Sequence, residues 1–240
     1  MKILSFSLLI CATFLFGACG TIYAPNTVNT PLFHEKGEIQ LHIDNQSNVQ
    51  AAMAVSNHLG LMVNGAFPSY TGTNNEEKSS GSLVEVGLGY FKGNPNGLIM
   101  EIYGGAGTGK ADLNTLSSTG QTTSHIDAQG TRLFVQPSVG LSRPFFDIAF
   151  TPRFSLLKYS DANYNGFSAS VVDERGYAQL TNTSWLFLEP ALTLRGGYKF
   201  IKAQIQLGKT IKLTDKNLAF AKSFNSFGIT LDIGKWYNKH

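Results

Sequence analysis

Charge is scarce in this sequence. Only 15% of its 240 residues are Asp, Glu, Lys or Arg, against roughly 25% in ordinary soluble domains. The net charge is +3. It contains no Lys/Arg run, no aromatic RNA-binding motif and no zinc-type spacing. That argues against nucleic acid as a partner and gives no metal or cofactor an evident site. Cysteine is nearly absent. The two present, Cys11 and Cys19, both precede the patterned part of the chain, which leaves no disulfide to stabilise it. A long apolar run is lacking too. The stretch 3–16 is too short to span a bilayer as a helix. With Lys2 before it and Gly17-Ala18 after it, it reads as a secretory signal.

Cys19, directly after those small residues, fits a bacterial lipobox, with Phe16 where Leu is commoner. The expected organisation is a signal peptide at 1–18 and an acylated (palmitate-type) Cys19. A polar, Pro-containing extended tether at 19–36 and an outer-membrane β-barrel at 37–240 follow. The tether shows no periodicity and reads as a spacer between anchor and fold.

What is abundant is alternation. In 200–209, Ile201, Ala203, Ile205 and Leu207 oppose Lys202, Gln204, Gln206 and Gly208. In 224–235, Phe227, Ile229, Leu231 and Ile233 oppose Gly228, Thr230, Asp232 and Gly234. A period of two means strands with one apolar and one polar face. Ten candidates follow: 37–44, 48–56, 59–67, 82–92, 97–111, 124–142, 145–159, 184–198, 200–211 and 225–236. Tight turns at 57–58, 93–96, 143–144 and 199 alternate with long polar connections at 68–81, 112–123, 160–183 and 212–224, with 45–47 as the short exception on the long-loop side. Short turns on one side and long loops on the other are the pattern of transmembrane barrels. The predicted class is therefore all-β, an antiparallel up-and-down barrel of ten strands. Eight would remain if 37–44 and 48–56 paired outside it. With the tether in the periplasm and an even strand number, both termini fall on the periplasmic side.

The polar face carries Glu85, Glu101, Arg132, Asp147, Arg153, Glu189, Arg195, Lys202 and Asp232 among many small residues. A face with both signs of charge and much glycine suits a narrow lumen, because a charge turned into hydrocarbon costs about 2–4 kcal/mol. The five carboxylates are expected to pair with the four cations and fill the lumen. Aromatics near the strand ends suggest two interfacial rings: Tyr90, Phe91, Phe145, Tyr198, Phe200, Trp236 and Tyr237 by the turns, and Phe67, Tyr70, Tyr159, Trp185 and Phe224 by the loops. Pro137, Pro152 and Pro190 fall inside strands on the outward face, where bulges or kinks are expected.

Tyr23-Ala-Pro-Asn26, Asn29-Thr-Pro-Leu32, Glu35-Lys-Gly-Glu38, Gln136-Pro137-Ser138 and Leu188-Glu-Pro-Ala-Leu-Thr-Leu-Arg195-Gly-Gly-Tyr198 carry a resemblance. From Cys19 to its end the chain resembles a group of small outer-membrane β-barrel lipoproteins of Bacteroidota. These motifs are structural, so no site residues carry over. In such lipoproteins surface export usually needs acidic residues just after the Cys. Gly20-Thr21-Ile22 lacks them, and the resemblance therefore implies a periplasmic anchor.

Chemistry-bearing motifs are few. The segment 104–110 (GGAGTGK) partly matches a phosphate-binding loop, but Ala111 replaces the magnesium-holding hydroxyl and no helix follows. Ser124-His125-Ile126-Asp127 offers hydroxyl, imidazole and carboxylate near the outer rim. A hydrolytic site would need partners from other strands. The reading that results is a non-enzymatic, lipid-anchored barrel with a charge-filled lumen and no cofactor. Its role would be structural, or an interaction with an envelope or extracellular protein through its outer loops. Tyr164, Phe167 and Tyr177 in 160–183 are the contact candidates. A narrow channel for small polar solutes is the second reading and a rim hydrolase the third.

Overall fold

The computed structural model describes residues 21–72, 77–117, 119–198 and 200–234. The segment 1–18 expected to be a signal peptide, Cys19, Trp236 and Tyr237 lie outside the described residues. The strands are β1 (Ile39–Asp44), β2 (Asn48–Ala54), β3 (Leu59–Ala66), β4 (Ser69–Thr71), β5 (Glu77–Gly93), β6 (Leu98–Leu116), β7 (Thr122–Ser142), β8 (Phe146–Asn165), β9 (Ser184–Tyr198), β10 (Ile201–Lys209), β11 (Ile211–Lys212) and β12 (Ser223–Asp232). A short helix α1 (Ala169–Glu174) and a 3-10 turn at Tyr177–Gln179 sit between β8 and β9.

Of these twelve strands, β4 and β11 are short pieces, paired to β5 and β9. The remaining ten form a closed antiparallel barrel. Closure is made by β12 against β1, in a register that sets Gln40 opposite Asp232 and Ile43 opposite Ile229. With β1 and β2 both in the wall, the eight-stranded alternative is excluded. A closed wall leaves no unpaired edge, the condition for crossing a bilayer with strands.

The period-two pattern sorts the side chains as its chemistry demands. Ile43, Val86, Leu133, Phe150, Ile205 and Phe227 are exposed on the outside, while Gln40, His42, Glu85, Arg132, Glu189 and Gln206 are buried within. This is a soluble protein's arrangement turned inside out. Tyr90, Phe145 and Tyr198 point outward near the tight turns, and Phe67 and Tyr70 near the opposite rim. Phe91, Tyr159 and Trp185 do not join those rings, because their strand parity directs them inward, where they are buried.

The wall is lopsided in height. β1, β2 and β3 have 6, 7 and 8 residues, while β6, β7 and β8 have 19, 21 and 20. A crossing needs only about 9–11, so β5 to β8 project well past any lipid at the long-loop end. Much of what the sequence marks as loop is this extension. Residues 77–81, 112–116 and 160–165 continue the strands. Polar content there reflects an outer face in water, not a turn, while Leu113 and Ala162 on the inner face still pack into an apolar cluster. The segment 104–110 lies within β6, as a strand and not a phosphate loop.

Pro137 and Pro152 interrupt the β7–β8 ladder without shifting its register there. Between β7 and β8 the ladder stops at Val135 opposite Phe154 and resumes at Val139 opposite Phe150, leaving three residues unpaired on each strand. Pro137 and Pro152 fall in that gap, so no bulge forms there. A shift in the β7–β8 register occurs instead at Gln129/Gly130. The gap opens a shallow outward groove of about 450 Å3, walled by Met100, Ile102, Pro137, Val139, Phe150 and Pro152. On β9, Pro190 stands directly opposite Pro152.

An outward face built for lipid must reject charge. Val86→Arg should weaken the folded barrel in vesicles by about 2–4 kcal/mol, read as a lower urea midpoint and loss of the heat-dependent gel shift. An unchanged midpoint would mean that this face meets water.

Candidate functional site

The lumen is the candidate site, and it is occupied by the chain itself. Residues 21–36 run through the barrel in extended form. Their side chains are nearly all buried, including Ile22, Tyr23, Asn26, Val28, Thr30, Leu32 and Phe33. The segment read as a spacer is thus an internal strap. Pro25 and Pro31 hold it extended and remove two backbone donors. With no neighbouring strand along most of its length, its remaining polar groups must be met by lumen side chains.

They are met at three levels. At the long-loop end, two buried ion pairs stand side by side: Arg132 with Glu85 at 2.7 Å and Arg153 with Glu189 at 2.6 Å. The strap bridges them. The Tyr23 hydroxyl donates to Glu189 and accepts from Arg132, while the Asn26 side chain accepts from Arg132 and donates to Glu85. Arg153 also donates to the Asn26 carbonyl at 2.9 Å, and Ser155 donates to Glu189 at 2.8 Å. At mid-height Gln206 imitates a strand neighbour. Its side-chain carbonyl accepts from the Val28 amide at 2.7 Å and its amide donates to the Val28 carbonyl at 2.9 Å. Gln50 donates to the Thr27 carbonyl and Gln136 to the Asn29 carbonyl, at 2.8 and 2.6 Å.

At the tight-turn end Arg195 donates to the Thr30 carbonyl at 2.7 Å and Gln40 to the Pro31 carbonyl at 3.1 Å. Lys202 sits between Asp147 at 2.7 Å and Asp232 at 3.4 Å, with Arg195 at 3.8 Å from Asp147. Glu101 departs from the expected pairing. Among the described residues no salt bridge reaches it, and its carboxylate accepts the Leu32 amide at 3.1 Å. Leu32 itself has φ of 56°, a conformation costly for a non-glycine residue. The strap turns there toward β1, with Leu32 against Ile99 and Ala149 and with Phe33 edge-on to Phe91, ring centres 5.7 Å apart.

Glycine in the wall makes room for this filling. A Cβ at Gly89 would collide with the Tyr103 ring, and one at Gly105 with the Phe134 ring. Tyr103 and Phe134 are both buried beside Phe33 and Met62.

The long-loop mouth is capped. Ile22 and Tyr23 hydrogen-bond along Ala219 and Ala221, forming a short parallel bridge to the 213–222 connection. Leu113, Tyr159, Trp185, Phe187 and Leu218 close over them. Tyr177 belongs to this cap and is buried, so it is not a surface contact. Phe167 packs edge-on against it at 5.2 Å and is half-buried, which leaves Tyr164 as the exposed member of the three candidates. Burial raises the pKa of the Tyr177 phenol, against the opposing pull of Arg175 beside it. The helix and 3-10 turn that deliver Tyr177 explain why alternation could not place it.

On the projecting hairpin, His125 is engaged at both ring nitrogens, by Asn114 at 2.9 Å and Asp127 at 3.2 Å, with Asp112 at 3.8 Å. Ser124 precedes it on the strand, and successive strand residues face opposite sides. No hydroxyl donates to His125 among the described hydrogen bonds, and no group of acidic or Cys/His residues there is arranged to hold a metal ion.

These features define a closed barrel with an apolar outer wall and a lumen filled by its own N-terminal segment. No family model matches the sequence, and no curated protein is similar to it. Among solved structures the chain is similar to the translocator domain of the autotransporter NalP from Neisseria meningitidis. The TM-score is 0.43 and the identity 8%, over 81% of this chain and 86% of that one.

Sequence patterning found the lumen charges but missed Tyr23, Asn26, Val28 and Thr30 as their partners. A signal was present: a free spacer has no use for Val28, Leu32 and Phe33, and apolar residues beside Asn and Thr imply burial with polar contacts.

Removing one member of a buried pair strands the other, at about 3–5 kcal/mol. Arg153→Ala, which also frees the Asn26 carbonyl, should lower the urea midpoint of the refolded barrel accordingly, and Arg195→Ala should lower it too. Unchanged midpoints for both would contradict a lumen network that supports the fold.

Proposed function

We propose that this protein is an outer-membrane barrel, lipid-anchored at Cys19, that is sealed by its own strap and conducts nothing. On this reading it is not an enzyme. It serves as a rigid mount for the strand extensions of β5 to β8, which offer surface to an envelope or extracellular partner. The observation that carries the reading is the strap's passage through the whole lumen. Twelve peptide steps separate Ile22 from His34, about 40 Å when extended, which exceeds the ~25 Å apolar band of such barrels.

Several features support it together. The polar lumen groups are spent on one another and on strap backbone, so few remain to line a water path. The long-loop mouth is covered by an apolar cluster, not a charged vestibule. The signal-like N-terminus and the small residues before Cys19 support export and acylation. The motifs that resemble those of small Bacteroidota barrel lipoproteins point to the same compartment.

Planar-bilayer recording tests it, on refolded chain whose heat-dependent gel shift demonstrates a closed barrel. The wild-type chain should give a silent trace. Replacing residues 26–30 with a Gly-Ser spacer should introduce current steps while the gel shift persists. Reproducible steps from the wild-type chain would defeat the sealed reading in favour of the narrow channel.

A further inference from the structure

The strap has a direction, and that direction places the N-terminal end. Ile22 and Tyr23 are fixed to 219–221, at the long-loop mouth. The His34 amide binds Glu38 at 2.6 Å and the Lys36 amide binds the Asn57 side chain at 3.2 Å, both at the tight-turn mouth. Between them the contacts run in order along the lumen, from Arg132 through Gln206 to Arg195 and Glu101. The chain therefore passes once through the barrel before β1 begins. The expectation that both termini share one side fails at Thr21, because the path of 21–36 adds a crossing that a count of strands omits.

We infer that the N-terminal end of the mature chain leaves the barrel on the cell surface, so that the acyl group on Cys19 seats in the external leaflet of the outer membrane. This rests on the outer-membrane reading above, with long loops outside and short turns in the periplasm. The reach of the chain decides between leaflets. Only Gly20 lies between Cys19 and Thr21, and two peptide steps cover at most about 7 Å. The periplasmic leaflet lies across a band of ~25 Å, whereas the external one begins beside the mouth. The absence of acidic residues after Cys19, which the resemblance reads as retention in the periplasm, then has another meaning. A segment led out through its own barrel reaches the surface by the path of the strap. The seating also explains the apolar Ile22 and Tyr23 under the cap: they hold the exit in register.

The test uses the full-length protein in intact cells. One variant carries an epitope inserted ahead of Thr21, and a second carries Thr21→Cys for a membrane-impermeant maleimide, with the wild-type chain as blank. Ser117→Cys in the β6–β7 connection and Asn96→Cys in the β5–β6 turn mark the two sides. Heat-dependent gel shifts confirm that each variant is folded. The inference expects the N-terminal epitope or thiol to react on intact cells as fully as after permeabilisation, like Ser117→Cys, while Asn96→Cys reacts only after permeabilisation. If Ser117→Cys labels on intact cells but both N-terminal variants react only after permeabilisation, the inference is overturned while the outer-membrane reading stands. If Ser117→Cys itself is shielded until permeabilisation, the orientation fails and this inference with it.

Discussion

Everything in this molecule depends on the mutual satisfaction of an isolated backbone and a polar lumen. A strap without a neighbouring strand exposes amides and carbonyls that cannot be left bare in a dry interior. A ring of inward Arg, Lys, Glu and Gln side chains cannot be left uncompensated either. Each is the other's solution. Arg153 and Arg195 each give a donor to a strap carbonyl, and Gln206 meets Val28 on both its backbone groups. Tyr23 and Asn26 tie two ion pairs into one network. A barrel of ten strands is near the size at which side chains alone just fill the interior. The extra space is taken up by one extended chain.

The wall is adapted to its contents. Glycines at positions 89 and 105 let Tyr103 and Phe134 lie close against the strands. Prolines are tolerated in a closed sheet because the β7–β8 ladder opens for a few residues and closes in the same register. The tall β5–β8 side and the low β1–β3 side divide the labour: the first carries surface beyond the lipid, the second closes the ring.

Much of this was readable from alternation. Strand number, the inward placement of Glu85, Arg132, Glu189 and Lys202, and the outward placement of Val86 and Ile205 all follow from a period of two. Strand length was not readable past the lipid, because Lys78, Ser80, Asp112 and Asn114 replace the apolar outer face that marks a strand, and Leu113 turning inward to the cap is too little to show a period. Tyr177 was misplaced because a helix and a 3-10 turn fold it back over the mouth, and no local pattern encodes that return. The strap was the largest omission. Its pattern is aperiodic because its neighbours surround it, so Thr30 and Asn26 face partners in every direction and no face emerges. Glu101, expected to pair with a lumen cation, instead accepts from the backbone of Leu32, a partner that only the course of the strap supplies.

The most direct measurement is amide hydrogen exchange on the folded barrel in vesicles, resolved at the strap. The amides of Val28 and Leu32 are bound by Gln206 and Glu101 and enclosed by the wall. They should exchange as slowly as the amides of the central strands. Exchange at the rate of an unstructured peptide, in a barrel whose strands remain protected, would show the strap outside the lumen and would contradict the account.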